Sequence, residues 1–323
     1  MDDTMNAQYL EAIVGGVSQE AIKHWLKISG LPHTAGNKAE FYKLLNKLIT
    51  ADQLRVERLR RLVLEIKEYR EKRIYLGKLS NYKVIGLKQR FENHLNSIRE
   101  KLVPDPVEPK ELPSKPHLNY ICWSHKEVRI GYSETHEFEK LNRTTKMLET
   151  HSRTNLIIIS AEPSTGLIKI MMDAPGDEHQ HIVTQGARKI DGYVPFYKNR
   201  ALDLLGAEKF NPIDLRKISE GIVKSTPKIF EPTDFHALSS HHSRYRITSR
   251  SDVTDDPVFS ASEKADKDRV HDGVSGFWLP ESSEGQLQRK LYMQLSVRED
   301  MIRFDAECLA NEVEYAISRI RAV

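Results

Sequence analysis

The stretch NLIIISAEPSTGLIKIMMD, residues 155–173, holds two short apolar runs on either side of a turn sequence. NLIIIS and LIKIMM are both rich in leucine and isoleucine, a composition typical of strands. A connection this short joins antiparallel neighbours, because a parallel pair needs a longer crossover. The stretch therefore predicts a β-hairpin, and it indicates the class of the fold around it.

Strand and helix patterns alternate on both sides of this hairpin. Strand patterns are NYICW (119–123), VRIGY (128–132), RYRITS (244–249), KLYMQLSV (290–297) and MIRFDAEC (301–308), and helical patterns are DLRKISEGIVK (214–224) and NEVEYAISRI (311–320). This mixture predicts an α+β domain over residues 118–323 with a mainly antiparallel sheet.

A weak internal duplication is also visible in this domain. Residues 155–190 and 290–323 both follow the order strand, turn, strand, helix, which predicts two similar lobes, 118–235 and 236–323. The serine- and histidine-rich residues 236–257 predict a weakly ordered connection, and the polar residues 260–273 predict a solvated helix or a loop.

The segment VPDPVEPKELPSKPHLN, residues 103–119, carries five prolines. Proline removes helix donors and favours an extended backbone, so residues 104–117 are predicted to be a linker. Before the linker, residues 53–73 and 86–103 repeat apolar residues at helical spacing. The region 1–103 is therefore predicted to be all-helical, with residues 51–103 forming a hairpin of two long helices or a helical dimer.

A glycine-marked corner lies further upstream, in ISGLPHTAGNKAEFYKLLNKLI, residues 28–49. Gly30 is placed to end one amphipathic helix in the left-handed conformation, and Pro32 prevents simple continuation. Asn37 is expected to cap the next helix, with Glu40 returning a bond to the Asn37 amide.

This corner resembles the SAP-type helix-extension-helix DNA-binding motif over residues 17–50. The resemblance rests on an amphipathic helix followed by a set of spaced positions: Gly30, Leu31, Gly36, Lys38, Phe41 and Leu45. It implies that the start of the second helix binds the DNA backbone. The residues themselves lead to the same expectation, because free amides at the start of a helix, its dipole and the Lys38 ammonium together attract a phosphate.

The distribution of charge along the chain also favours DNA as the partner. The net charge of +3 arises from 5 Lys/Arg against 5 Asp/Glu in residues 1–50, 14 against 7 in residues 51–103, and 30 against 34 in residues 104–323. A localised basic segment is typical of proteins that bind nucleic acid. The predicted DNA-binding residues are Gly36, Asn37, Lys38, Lys43, Arg70, Lys72, Arg73, Lys78, Lys83, Lys88 and Arg90.

Signals for catalysis are weaker. Cys122 and Cys308 have no metal-ligand spacing, and neither residues 177–181 nor 236–242 place their histidines in a zinc pattern. The chain also lacks a phosphate-binding glycine loop and a serine nucleophile elbow. Carboxylates at the hairpin ends, Asp173, Asp305 and Glu307, with Glu162 near Lys169, keep a metal-dependent nuclease as an alternative.

The sequence thus predicts a non-catalytic protein that binds duplex DNA with little sequence discrimination, without a cofactor or metal. Residues 118–323 are expected to mediate homo-oligomerisation or to recruit a protein partner. A protein-interaction scaffold is the other alternative. The acidic N-terminus and the absence of any long apolar run predict a cytoplasmic protein with no membrane contact.

Overall fold

A computed structural model describes residues 3–69, 72–80, 117–123, 127–142, 144–173, 198–199, 202, 206–225, 228–280, 287–304 and 308–322. The described helices are α1 (Asp3–Val14), α2 (Gln19–Ile28), α3 (Lys38–Thr50), α4 (Val56–Tyr69), α5 (Leu215–Val223), α6 (Pro257–Ala265) and α7 (Ala310–Ala322). The described strands are β1 (Lys72–Ser80), β2 (His117–Trp123), β3 (Val128–Leu141), β4 (Leu148–Ala161), β5 (Leu167–Asp173), β6 (Lys209–Pro212), β7 (Phe230–Leu238), β8 (Arg244–Thr248), β9 (Val270–Trp278), β10 (Leu291–Ser296) and β11 (Met301–Phe304). The α+β class with a mainly antiparallel sheet is confirmed.

The chain forms two compact units. The first comprises Met1–Glu71, Leu215–Glu299 and Arg303–Val323, and the second comprises Lys72–Asp214 and Asp300–Ile302. Each unit therefore takes residues from both sides of the predicted linker, which itself lies outside the described residues apart from His117. Strand β7 runs across the boundary that was predicted between two lobes at residues 235 and 236.

In the first unit, the apolar faces of α1 to α4 enclose one core. Each helix contributes residues at helical spacing, because one stripe of each is apolar and the other faces water. Leu309, just before α7, is buried in the same core. The fully or almost fully buried members include Leu10, Ile22, Leu26, Phe41, Leu45, Leu48, Leu59, Val63 and Ile66.

The helix predicted from residue 53 is confirmed as α4, but its continuation through Lys72 and Arg73 is wrong. Both residues lie in strand β1, so the region 1–103 is not all-helical. Strand β1 pairs antiparallel with β5 from Lys72↔Asp173 to Lys78↔Leu167. That ladder, in which residues 74–77 are buried on both faces of the strand, outweighs the helical periodicity of the local sequence. The second predicted helix, 86–103, lies outside the described residues.

The strands of the second unit follow the order β2-β3-β4-β5-β1, all antiparallel, and β6 pairs with the end of β1. The predicted hairpin of residues 155–173 is confirmed as β4 and β5, with Gly166 at a φ of +69° in its turn. Ile157 and Ile159 belong to the core on one face, while Ile158 on the other face is also buried. Burial on both faces explains the unbroken apolar run.

The first unit holds a smaller antiparallel sheet with the order β10-β9-β7-β8. Its inner face buries Phe235, Val274 and Met293, while residues of the outer face alternate with them. The prediction of a weakly ordered connection over residues 236–257 is wrong, because this stretch holds the end of β7, all of β8 and a 3-10 turn capped by the buried Asp252.

Strand β9 was not predicted from its sequence, VHDGVSGFW, because this stretch is poor in large apolar residues. Small residues are needed there, since a Cβ at Gly276 would lie 2.2 Å from the Glu231 carbonyl oxygen of the neighbouring strand. The structure covers only part of the predicted internal duplication. In the second copy, β10, β11 and α7 follow the predicted order of strand, turn, strand and helix. In the first copy, the residues after β5 lie outside the described residues. None of the described helices is long and apolar enough to cross a membrane.

Candidate nucleic-acid interface

The corner between α2 and α3 is built as the sequence predicts. Gly30 has a φ of +70°, a conformation that glycine adopts without the steric penalty of a Cβ. The amides of Gly30 and Leu31 then donate back to the carbonyl oxygens of Lys27 and Leu26, at 3.0 and 2.9 Å. These bonds satisfy the free carbonyl groups at the end of α2 and turn the chain towards α3.

At the start of α3, Asn37 is the capping residue. Its Oδ1 accepts a hydrogen bond from the Glu40 amide at 2.9 Å, as expected. The return bond differs from the prediction, because the Glu40 carboxylate accepts from the Gly36 backbone amide at 2.7 Å and from the Asn37 side-chain Nδ2 at 3.1 Å, and not from the Asn37 backbone amide. The Gly36 amide is therefore occupied within the chain, so its prediction as a free phosphate donor is wrong for this conformation.

Lys38 lies on the surface but has a carboxylate beside it. Its Nζ donates to Glu11 of α1, and both side chains are more than half exposed. The hydrogen bond from Lys38 to Glu11, together with the charge of that carboxylate, raises the pKa of the lysine. Exposed ion pairs contribute little to stability, so a phosphate can displace Glu11 at small cost.

Other cations of residues 3–69 are exposed and have no ion pair with any described residue. They are Lys27, Lys43, Lys47, Arg55, Arg58, Lys67 and Arg60, the last of which donates a hydrogen bond to the Tyr9 hydroxyl. Lys43 and Lys47 lie one turn apart on α3, on the side opposite the buried Phe41 and Leu45. By contrast, Lys23 is paired with Glu20 and Arg61 with Glu65.

Among these cations, Arg58 lies closest to an aromatic ring. Its guanidinium carbon lies 4.8 Å from the centre of the Trp25 ring, which ties α4 to α2. Trp25 is half-buried in the helical core, so it fixes one face of the guanidinium group. Stacking leaves the N–H edges of an arginine free to donate to an anion.

Lys72 is not available to DNA in this structure, and its prediction as a DNA contact is wrong. The side chain is 1% exposed and its Nζ donates to Asp173 and to the carbonyl oxygen of Leu156, the latter at 2.8 Å. The Leu156 amide in turn donates to the other oxygen of Asp173, at 2.8 Å. Lys72 is a buried structural cation because the edge of the β1–β5 ladder places it opposite Asp173.

The remaining predicted DNA-binding residues either lie on β1 or α3 or lie outside the described residues. Arg73 and Lys78 also lie on β1; Arg73 is half-buried, with a buried Nε that has no described hydrogen-bond partner, and Lys78 is exposed. Both belong to the second unit, whereas Gly36, Asn37, Lys38 and Lys43 belong to the first. Arg70, Lys83, Lys88 and Arg90 lie outside the described residues.

The carboxylates suggested for a nuclease do not form a site among the described residues. Asp173 is engaged with Lys72, and Glu162 closes the turn after β4 through Thr165. Asp305 and Glu307 lie outside the description. Within the described ranges, no group of three or more His, Cys, Asp or Glu side chains is placed to hold a metal ion.

A polar cluster in the second unit was missed by sequence reasoning. Lys169, 2% exposed, lies 3.5 Å from the Glu127 carboxylate, which also accepts from Ser160 and Arg129. Burial opposes ionisation of Glu127, but the charges of Lys169 and Arg129 outweigh it and lower its pKa. The one available signal was the lysine inside the apolar run LIKIMM, since a buried lysine needs a partner.

A second cluster, in the first unit, surrounds Glu312 of α7. Its carboxylate accepts from Arg289 at 2.8 and 3.0 Å and from the Leu309 amide at 2.8 Å, and it lies 3.0 Å from His24 Nε2 of α2. Burial raises its pKa, but the hydrogen bonds of His24 and Arg289 prevail and lower it to about 2. This carboxylate fixes α2 to the start of α7.

The geometry thus leaves the exposed cations of α2, α3 and α4 as the candidate interface. Comparison of the chain with models of known protein families finds no match, and comparison with curated protein sequences finds none either.

Proposed function

We propose that the protein binds duplex DNA through the phosphate backbone, using the exposed cations of α2, α3 and α4, and that it does so without catalysis. The observation that carries the proposal is the stacking of Arg58 on Trp25. An arginine held in this way is ready to donate two hydrogen bonds to a phosphate, and it loses less side-chain freedom on binding than a free arginine.

The composition of the surface supports the same conclusion. Lys43 and Lys47 project from α3, while Arg55 and Arg58 lie one turn apart at the start of α4. Residues 3–69 hold 10 Lys/Arg and 8 Asp/Glu, so this helical region is not strongly basic overall. Several of these carboxylates are already paired inside the protein, as Glu40, Glu65 and Glu11 are, which leaves the unpaired cations to interact with a partner.

The expected recognition has little dependence on sequence. Contacts to phosphates position a protein on DNA, whereas specificity requires contacts to base edges in the grooves. The exposed cations of α2, α3 and α4 are suited to contacts with phosphates. Residues 118–323 are proposed to add self-association or a protein contact, as expected from the sequence.

The test compares Arg58→Gln with Arg61→Gln in the full chain, on a fluorescent duplex at several salt concentrations. Arg61 is the matched control, because it lies one turn away on α4 but is paired with Glu65. We expect Arg58→Gln to weaken binding by about three- to tenfold and to reduce the slope of log K against log salt by about 0.9, the loss of one phosphate contact.

Arg61→Gln is expected to change affinity less than about twofold, as for a surface ion pair. Absence of salt-dependent binding by the unmodified protein would contradict the proposal. Equal effects of the two substitutions would refute the specific role of the Arg58–Trp25 stack.

A further inference from the structure

Strands β3 and β4 extend well beyond the described residues of their neighbours, β2 and β5. Each has 14 residues, and they pair along their whole length from Val128↔Ala161 to Leu141↔Leu148. Strand β2 pairs with β3 only up to Ser133, and β5 pairs with β4 only from Ile158. Residues 134–141 and 148–155 therefore form a two-stranded ribbon, about 25 Å long at the usual rise per residue, with no third strand in the described part of the chain.

The tip of this ribbon is described at Asn142 and at residues 144–148, and these residues are held by their own hydrogen bonds. The Asn142 side chain accepts from the amides of Thr144 and Thr145, at 2.9 and 3.1 Å, and donates to Glu149 at 2.6 Å. The Lys146 amide donates to the Asn142 carbonyl oxygen at 2.8 Å. Lys146 takes a φ of +58°, which a well-bonded turn can hold. The tip thus presents its side chains from a defined backbone.

The tip exposes apolar side chains to water. Met147 is 68% exposed and Leu148 is 64% exposed, the two highest values among the large apolar residues that the structure describes. Lys146, next to them, is also exposed and has no ion pair with a described residue. Single exposed apolar residues are common, but two adjacent ones at the end of a narrow projection are a feature of surfaces that bind a partner.

The dimensions of the tip decide between partners. A stable protein interface buries on the order of 800 Å² on each side, far more than two side chains supply. Proteins that bind DNA through β-ribbons use the major or the minor groove. From the minor groove, one or two apolar side chains at a ribbon tip suffice to wedge between base pairs and bend the duplex. A neighbouring lysine adds attraction to the phosphates on either side of the groove.

We propose that the ribbon tip enters the minor groove of duplex DNA, where Met147 and Leu148 wedge between stacked base pairs and bend the helix. The proposal rests on the DNA binding proposed above and adds a second contact of a different chemical kind. Phosphate contacts depend on salt, whereas an apolar wedge acts through unstacking and depends little on it.

The experiment uses the full chain and a duplex of about 30 base pairs with a fluorescent donor and acceptor at its ends, long enough for a bend to change energy transfer. The test variant is Met147→Ser/Leu148→Ser. The matched control is Val258→Ser, which removes an apolar side chain that is 60% exposed on α6. Affinity, its salt dependence and the end-to-end distance are measured for each protein.

We expect the unmodified protein and Val258→Ser to shorten the end-to-end distance. The tip variant is expected to bind about tenfold more weakly with an unchanged salt slope, and to leave the duplex straight, because it loses only the wedge. Arg58→Gln should show the opposite result: a smaller salt slope with the bend retained in the DNA that is bound.

Two results would overturn the proposal while leaving the proposed function intact. One is salt-dependent binding without any bend. The other is a tip variant that binds and bends DNA normally; if its oligomeric state in sedimentation also changed, the tip would be a contact with a second copy of the chain. Absence of binding by every protein, at any salt concentration, would reject both proposals together.

Discussion

Lys43 on α3 and Lys72 on β1 were both predicted to contact DNA, yet they lie in opposite environments. Lys43 is exposed and unpaired among the described residues, while Lys72 is almost completely buried against Asp173 and the Leu156 carbonyl oxygen. The difference shows that the net charge of a sequence segment does not give the charge that the folded protein exposes on its surface. A strand buried on both faces removes a lysine from solvent, whereas a surface helix leaves it there. The predictions below test this contrast between buried and exposed charge.

The largest effect is expected from Lys72→Met. It leaves the partly buried Asp173 without its cation, and breaking a buried ion pair typically costs about 3–5 kcal/mol. Lys43→Met is the control, with an expected change of less than about 0.5 kcal/mol for an exposed residue. The free energy of unfolding from urea titrations measures both. A small loss for Lys72→Met would mean that this lysine is not buried in solution.

Glu312→Gln is expected to destabilise the protein by about 2–3 kcal/mol at pH 7, the order of magnitude that corresponds to its lowered pKa. Below its ordinary pKa of 4.5 the unfolded chain takes up a proton, while the folded protein does not until about pH 2. The stability that Glu312 supplies is therefore full above pH 4.5 and is lost as the pH falls from 4.5 to 2.

The pH dependence of unfolding for the two proteins checks this prediction, with Glu65→Gln as an exposed-pair control on α4. The difference between the unmodified protein and Glu312→Gln should shrink across that window. A difference that stays constant with pH would show that the Glu312 carboxylate is not the group responsible.

His271 provides an effect of similar size on stability, in a different pH window. It is 4% exposed, its Nδ1 lies 3.2 Å from the Ser219 hydroxyl, and burial together with the charge of Arg269 lowers its pKa to about 4. The unfolded chain takes up a proton near pH 6.5 and the folded one near 4, so stability falls by about 3 kcal/mol as the pH drops from 6.5 to 4.

In His271→Gln this part of the acid sensitivity should disappear, while the part below pH 4.5 remains. Thermal unfolding between pH 7 and 4 is the measurement. An unchanged profile in the variant would mean that His271 is protonated in the folded protein or that another group titrates in the same range.

The smallest effect is expected from the exposed pair of Lys38 and Glu11. A double-mutant cycle with Lys38→Gln and Glu11→Gln should give a coupling close to zero in physiological salt, because screening weakens exposed pairs. On DNA, Glu11→Gln should tighten binding slightly, since it frees the Lys38 ammonium. A strong coupling energy in the cycle would mean that Lys38 and Glu11 interact as a buried ion pair does.

Local signals predicted α2 to α5 and α7, together with the strands β2 to β5, β8, β10 and β11. Their apolar residues recur at a fixed spacing, and their ends carry caps or turn residues such as Gly30 and Asn37. These features act within a few residues of one another, so they can be read in order along the chain.

Long-range pairing explains what the sequence did not reveal. Strand β1 continues a helical pattern and becomes a strand only because β5 lies beside it, and β9 contains small residues that its neighbours require. The same limit applies to the site: Lys43 was correctly expected on a surface helix, whereas the partners of Lys72 and Gly36 depend on contacts that spacing does not specify. Arg58 on Trp25 joins residues 33 positions apart, beyond any local motif.

The burial of Leu309 with α1 to α4, and the bonds of Glu312 to His24 and Arg289, have a consequence for synthesis. At about 5–20 residues per second, the helices α1 to α4 leave the ribosome on the order of 10–50 seconds before the residues that complete their core. During that interval an apolar surface stays open to water and to chaperones. Fragments that end before Leu309 should therefore be poor substitutes for the full chain, and aggregation of nascent chains should depend on how fast the final helix follows.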